Sequence, residues 1–191
     1  NIAKCKEIAS NIDWECEVYH NYSEVNLGCG MRMYSGLNWT FEHVDRAIIL
    51  EDDCVPHQDF FPFCKELLEK YKDDDRIATV CGMNHLEIYD KAPADYFFGQ
   101  NCCWGWATWK NRWNAVDFQM EFLDDPYYVD CVTKLFPYRV DAWKTGYARR
   151  EKLNRGERLS AWTYQHGMAI ALNNRISIIP KKNLITNIGL T

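Results

Sequence analysis

The stretch Ala47-Ile48-Ile49-Leu50-Glu51-Asp52-Asp53-Cys54-Val55-Pro56 constrains this chain more than any other. Four apolar residues run directly into three consecutive acids, and a proline follows. An uninterrupted apolar run bounded by turn signals predicts a strand buried on both faces, as in a parallel sheet. The end of that strand then carries three carboxylates side by side. Ligands of open α/β sheets sit outside the carboxyl ends of the strands. Adjacent carboxylates repel and raise one another's pKa unless a cation joins them. Magnesium and manganese take oxygen ligands and often share them with substrate phosphates. The stretch therefore reads as a metal-diphosphate site at a strand end. The competing reading is an acidic loop in which Asp52 or Asp53 caps the next helix. Acids placed directly after a buried strand, rather than within a polar run, favour the site.

With 47% hydrophobic residues in 191, the chain is globular and long enough for a real core. Its net charge of -5 argues against a general nucleic-acid binder, which would show a basic face. No apolar run has the length of a membrane span, and no signal-peptide pattern opens the chain. The cysteines number nine, an odd count, so at least one stands outside any internal disulfide. None forms a CxxC pair or a zinc-like cluster. Several fall on apolar faces, where a reduced thiol packs as a small hydrophobe. These features predict core thiols in a cytoplasmic protein, with peripheral attachment at the inner membrane as the variant.

In chain order, Ile2, Cys5, Ala9 and Ile12 recur at helical spacing and predict a helix over 2–12. Trp14 to Tyr19 alternates and predicts a strand. Asn26-Leu27-Gly28-Cys29-Gly30 is a two-glycine turn before a helix carrying Tyr34, Leu37, Phe41 and Val44 on one stripe. Amides at such a turn can face an anion. After the acid triplet, Phe60, Phe63, Cys64, Leu67, Leu68 and Tyr71 mark a helix that ends in Asp73-Asp74-Asp75, read as solvated surface. Ile77 to Cys81 and Tyr96 to Gly99 read as strands. The helix-strand alternation predicts right-handed crossovers and a mostly parallel sheet. Cys103 to Trp113 packs four tryptophans around Gly105, either as core or as a wall for a sugar ring. Residues 117–160 read as polar helices and loops. Trp162, Gln165, Ala169 and Leu172 mark a last helix, Ile176 to Ile179 a last strand, and Asn183 to Thr191 a tail. None of the five histidines has a partner at a metal spacing, and there is no GxSxG or Walker loop.

The motifs Asn26-Leu27-Gly28-Cys29-Gly30, Ile48-Ile49-Leu50-Glu51-Asp52-Asp53-Cys54, Phe60-Phe61, Trp104-Gly105-Trp106-Ala107-Thr108-Trp109 and Asn187-Ile188-Gly189 follow one another along the chain. In this order they resemble bacterial nucleotide-diphospho-sugar transferases, and with them the catalytic domain of N-acetylglucosaminyltransferase I. The resemblance spans nearly the whole chain. It implies one GT-A catalytic domain, or a piece of one, over 1–191. The fold would be α/β, a Rossmann-like, mostly parallel sheet flanked by helices and lacking its first strand.

The activity implied is that of an inverting, metal-dependent glycosyltransferase. It would move a sugar from a nucleoside-diphosphate donor, a UDP-sugar in the first instance, to a hydroxyl of a glycan or polysaccharide. In that resemblance Asp53 would ligate Mn2+ or Mg2+, Asp52 would reach the ribose, and Glu51 the donor sugar. Trp104, Gly105 and Trp106 would line the donor side. The partners implied are the nucleotide-sugar and the glycan acceptor, with no nucleic acid.

The sequence departs from the family pattern in three places. Nothing precedes the first helix, although GT-A domains open on a nucleotide-binding strand. Thr163 follows Trp162 where relatives commonly carry the aspartate base. The chain also ends at Thr191, before a segment in which relatives place a histidine near the metal. The base is then sought among Asp117, Asp124 and Asp125, and this segment alone is expected to be weak or inactive. A degenerate sugar- or nucleotide-binding domain and a nucleotidyltransferase remain as alternatives.

Overall fold

The computed structural model describes residues 2–100, 102–135 and 140–189, and their side chains except at 131–133, 135 and 140–144. The sheet is built around its most apolar segments. Ile77–Cys81 (β3) and Trp106–Trp109 (β5) have no exposed residue between them. They pair with each other, β5 also pairs with Arg46–Ile49 (β1), and β3 with Ile176–Pro180 (β6). Tyr96–Gly99 (β4) closes the far edge, giving the order β1-β5-β3-β6-β4. Two short strands, Cys54–Pro56 (β2) and Ile185–Asn187 (β7), form a separate antiparallel ribbon.

This order corrects the expected mostly parallel sheet. Among the described residues only β3 and β6 are parallel neighbours; the β1-β5, β3-β5 and β4-β6 pairs are antiparallel. The reason lies in β5 and β4. Strands β1, β3 and β6, the ones that alternate with helices, do run in one direction. The tryptophan block turns back between β1 and β3, and β4 turns back along β6. The chain is a mixed α/β fold with a mostly antiparallel sheet. A second correction concerns β1, expected to be buried on both faces. It is an edge strand in which Ile49 alone is buried and Leu50, just beyond it, is 40% exposed.

Helices cover the two faces. Phe60–Lys70 (α3) lays Phe60, Cys64, Leu67 and Leu68 on Val80, Ala107, Trp109 and Ile178. The opposite face carries Leu37 and Phe41 of Gly28–His43 (α2), Trp113 of the short helix Lys110–Trp113 (α4), and Trp162 and Ala169 of Thr163–Leu172 (α7) with its cap. Each fully buried large apolar side chain contributes about 1.5–3 kcal/mol. Pro126–Leu135 (α5) and Val140–Asn154 (α6), with a 3-10 turn at Glu121–Asp124, make up the polar region before α7. The residues 136–139 of the predicted polar stretch, and 190–191 of the predicted tail, lie outside the described residues.

Three smaller expectations change. The strand predicted at Trp14 to Tyr19 is absent: residues 11–27 hold no strand, and Trp14 and Tyr19 are exposed. An alternating segment with no neighbouring strand has nowhere to put its backbone hydrogen bonds. The helix before it, Ile2–Ser10 (α1), buries no residue. The acid run 73–75 is not merely solvated, because Asp75 pairs at 2.9 Å with Arg112, whose side chain is buried and also donates to the Ile77 and Lys72 carbonyls. The tail 183–189 holds β7. Cys5, Cys16, Cys29, Cys54, Cys64, Cys81, Cys102 and Cys103 are all free thiols. No helix among the described residues is long and apolar enough to cross a membrane.

Beneath α7 the aromatic rings converge. Trp106 and Trp162 stack at 5.4 Å, and His166 lies 4.7 Å from Trp106 and 5.2 Å from Trp162. Burial among these rings pulls the His166 imidazole down from its ordinary 6.5 to about 3. The folded protein thus holds a neutral ring where the unfolded chain takes up a proton. Stability from this source is complete above pH 6.5 and is lost as pH falls towards 3. In His166→Phe, the fall of the thermal midpoint across that window should be shallower than in the parent. Parallel midpoint-against-pH curves for the two proteins would show that His166 is not buried neutral.

Candidate functional site

The acid triplet forms the turn that joins the sheet to the ribbon. Cys54 N–H donates to the Glu51 carbonyl at 3.0 Å, so Asp52 and Asp53 occupy the two corner positions. Three elements then close around the turn. Strand β7 lies along β2, which pairs Asn187 with Cys54 and lets Ile188 N–H donate to the Asp53 carbonyl at 2.9 Å. The chain next doubles back through an Asx turn, with Gly189 N–H donating to Asn187 Oδ1 at 2.9 Å. This seats Gly189 directly on Asp53, where any β-carbon would run into Oδ2. The Asn-Ile-Gly sequence near the end of the chain is thus brought onto the acids.

The second element is the start of α2. Gly28 takes a φ of +74°, and its N–H donates to Asn26 Oδ1 at 2.8 Å. Gly30 N–H donates to the Leu159 carbonyl, and a β-carbon at Gly30 would stand 2.9 Å from that oxygen. The glycines allow the helix to begin tightly against residues 159–161. The first turn of α2 lies within the field of the acids. After burial, the charges of Glu51 and Asp52 are what raise the Cys29 thiol above its ordinary value. The third element is Trp162, whose indole comes near enough to the Glu51 carboxyl to lower its pKa.

Electrostatics make the turn an uncompensated anion. The Glu51 carboxyl is raised above 4.5, first by burial and then by the charges of Asp53 and Asp52, against the lowering effect of Trp162. Among the described residues no Lys, Arg or His forms an ion pair with Glu51, Asp52 or Asp53. Nor do any three His, Cys, Asp or Glu side chains there close on one point as a complete protein cage for an ion. Magnesium shared with phosphates needs no such cage; one or two carboxylates, with waters and phosphate oxygens, complete its shell. The oxygen donors of Asp53 and its neighbours fit that mode.

The tryptophan block divides. Trp106 is fully buried in the aromatic stack, its indole N–H without a partner, so its ring supports Trp162 from behind and has no face for a ligand. Trp104 is half-buried and meets the His85 ring edge-on at 6.0 Å. Between them Gly105 takes a φ of +60° and lies against Leu50 and Ile185, the residues that lead into the acid turn and into β7. Of the proposed bases, Asp124 is chelated by Arg150 at 2.8 and 2.6 Å, which lowers its pKa. Asp125 accepts the Tyr127 N–H at 2.9 Å and Asp117 the Phe122 N–H at 3.0 Å. Thr163 is exposed at the start of α7. Residues that sequence reasoning passed over are Trp162 as a partner of Glu51, and Cys29 beside the acids. Their signal was faint, because both contacts span more than twenty residues of sequence.

No family model matches the chain, and no curated protein matches it.

The seat of Gly189 on Asp53 has a measurable consequence. Gly189→Ala should displace the carboxylate and weaken manganese binding, followed by electron paramagnetic resonance, about tenfold. The thermal midpoint should barely move, since Gly189 is exposed. Unchanged manganese affinity would mean that Gly189 does not set the position of Asp53.

Proposed function

We propose that the chain is the catalytic part of an inverting, metal-dependent glycosyltransferase. It acts on a nucleoside-diphosphate sugar, a UDP-sugar in the first instance, and on a hydroxyl of a glycan acceptor. The observation that carries this reading is the convergence on one turn of four separated segments: Glu51-Asp52-Asp53, the Gly28-Cys29-Gly30 helix start, Trp162, and Asn187-Ile188-Gly189. Three of the four are motifs that carry the resemblance to nucleotide-diphospho-sugar transferases.

A divalent cation bound at Asp53 would supply Lewis-acid stabilisation of the diphosphate leaving group. The chain's own residues do the rest. Asp53 holds its carboxylate in a fixed corner of the turn, backed by Gly189. Asp52, the exposed corner, reaches outward to the ribose. Glu51, oriented by the Trp162 indole, accepts hydrogen bonds from donor-sugar hydroxyls. The half-buried Trp104 ring and Gly105 border the donor side, while Trp106 stabilises the wall from within.

A second reading has its own support. Thr163 stands where a carboxylate base is expected, and Asp117, Asp124 and Asp125 each already accept a hydrogen bond. A domain that binds the nucleotide-sugar without turning it over would look the same. The two readings share a binding step and differ in turnover. Positioned proton transfer is worth about 100- to 10,000-fold in rate.

Calorimetric titration of UDP in the presence of manganese should show binding by the parent and its loss, by about tenfold or more, in Asp53→Ala. The circular dichroism of the two should coincide, because Asp53 belongs to a turn rather than to the core. Equal affinity in both proteins would remove the triplet as the donor site. Binding by the parent without transfer to any acceptor would favour the non-catalytic reading.

A further inference from the structure

A cavity of about 260 Å³ lies beside α7, lined among the described residues by Ala115, Asp117, Phe122, Tyr128, Gln165, Ala169, Leu172 and Asn173. Its most telling member is Gln165. The residue is 1% exposed, and both its Oε1 and its Nε2 are buried without a hydrogen-bond partner. Buried polar groups are nearly always paired, and a side chain with both ends unpaired at a cavity wall marks a place where something else makes the bonds. The volume far exceeds the space one water needs.

The walls limit what that occupant can be. Gln165 offers one acceptor and one donor group. Asp117 uses Oδ2 for the Phe122 N–H, leaving Oδ1 as an acceptor. Asn173 donates Nδ2 to the Ala169 carbonyl, leaving its oxygen as a further acceptor. Acceptors are thus in excess, but a donor must also be met. No Lys or Arg is among the lining residues, and Arg150, which feels the charge of Asp117, is held by both oxygens of Asp124. An anion such as phosphate would face the Asp117 carboxylate uncompensated. A simple ammonium ion would leave Gln165 Nε2 unmet. Hydroxyl groups satisfy both sides, since each donates and accepts, and Phe122, Tyr128 and Leu172 supply apolar surface for ring carbons.

We propose that this cavity is a binding subsite for a neutral sugar ring, separate from the acid turn. The subsite does not depend on metal or nucleotide. Trp162 caps the helix that carries Gln165, three residues away, so the subsite and the acid turn share one support.

The test uses saturation-transfer NMR on the whole chain with millimolar glucose, galactose, mannose and N-acetylglucosamine, without metal, and with ethanolamine as the cationic control. At least one sugar should receive saturation from the parent. In Gln165→Leu, which keeps the volume and removes the amide, its affinity should fall about tenfold or more. The thermal midpoint of that variant should be no lower, since no native hydrogen bond is lost. If Gln165→Leu fails to fold, Tyr128→Ala, at a ring 39% exposed, should show the same loss. Asp53→Ala should bind the sugar as the parent does, which separates this subsite from the acid turn. Absence of transfer to every sugar, a response to ethanolamine alone, or equal transfer in Gln165→Leu would each overturn the proposal; the first would leave a hydrated cavity only.

Discussion

The architecture of the acid turn depends on where β5 runs. By entering the sheet antiparallel between β1 and β3, it pushes β1 to the edge and so leaves the end of β1 open to solvent. The same strand sends Trp106 to one face and Ala107 and Trp109 to the other, as period-two alternation requires. Trp106 then fixes the position of Trp162, and Trp162 reaches Glu51. Just upstream, Gly105 bends the chain between Leu50 and Ile185 with a left-handed φ that a side chain would oppose. One strand thus sets the floor of the site and the height of its rim. The mixed direction of the sheet is a condition of the site, since a β5 parallel to β1 would carry Trp106 to the opposite end.

Three carboxylates held in one turn work against folding unless something offsets them. The protein gives only partial relief. The Trp162 indole lowers the Glu51 pKa, the Cys54 thiol donates to Asp53 Oδ1 at 3.5 Å, and backbone amides of Cys54 and Ile188 take up the turn's carbonyls. The rise in the Glu51 pKa is the sign that repulsion and burial still outweigh that relief. Elsewhere the same chain neutralises its acids directly: Asp75 with Arg112, Asp124 with Arg150, Glu69 with Arg46 and Lys72. Among the described residues the triplet has no such ion pair. Its charge is concentrated and left unmatched at an accessible strand end, which suits a site whose partner is a cation.

Much of the element order was legible from periodicity, and the failures have physical causes. The helices at Gly28–His43, Phe60–Lys70 and Thr163–Leu172 show their stripes because each covers a face of the sheet. Strand β3 reads correctly because it is buried on both faces. Strand direction was not legible, because hydropathy carries no sign for parallel or antiparallel pairing. The ribbon of β2 and β7 was missed for a related reason. Its strands are three residues long, and their pairing joins positions separated by most of the chain. Trp14 to Tyr19 shows the opposite error, a convincing alternation with no neighbouring strand to receive it. In the site, the acids stood out as a cluster, whereas Trp162 read as a helix-face residue and a landmark before Thr163, not as a neighbour of Glu51. A side chain that packs with one edge and donates with the other leaves no distinct mark in a sequence.

Helix α7 ties these parts together. Trp162, at its cap, touches Glu51; Gln165 lines the neighbouring cavity; His166 sits in the ring stack with Trp106 and Trp113. With a rise of about 1.5 Å per residue, Trp162 and Gln165 stand about 4.5 Å apart along the axis, and a helix locked by buried aromatics cannot easily vary that spacing. The exposed residue between them and the solvent is Thr163. A stack of buried rings therefore lies close behind the acid turn. Rings that look like surplus core thus back the one indole whose effect reaches Glu51.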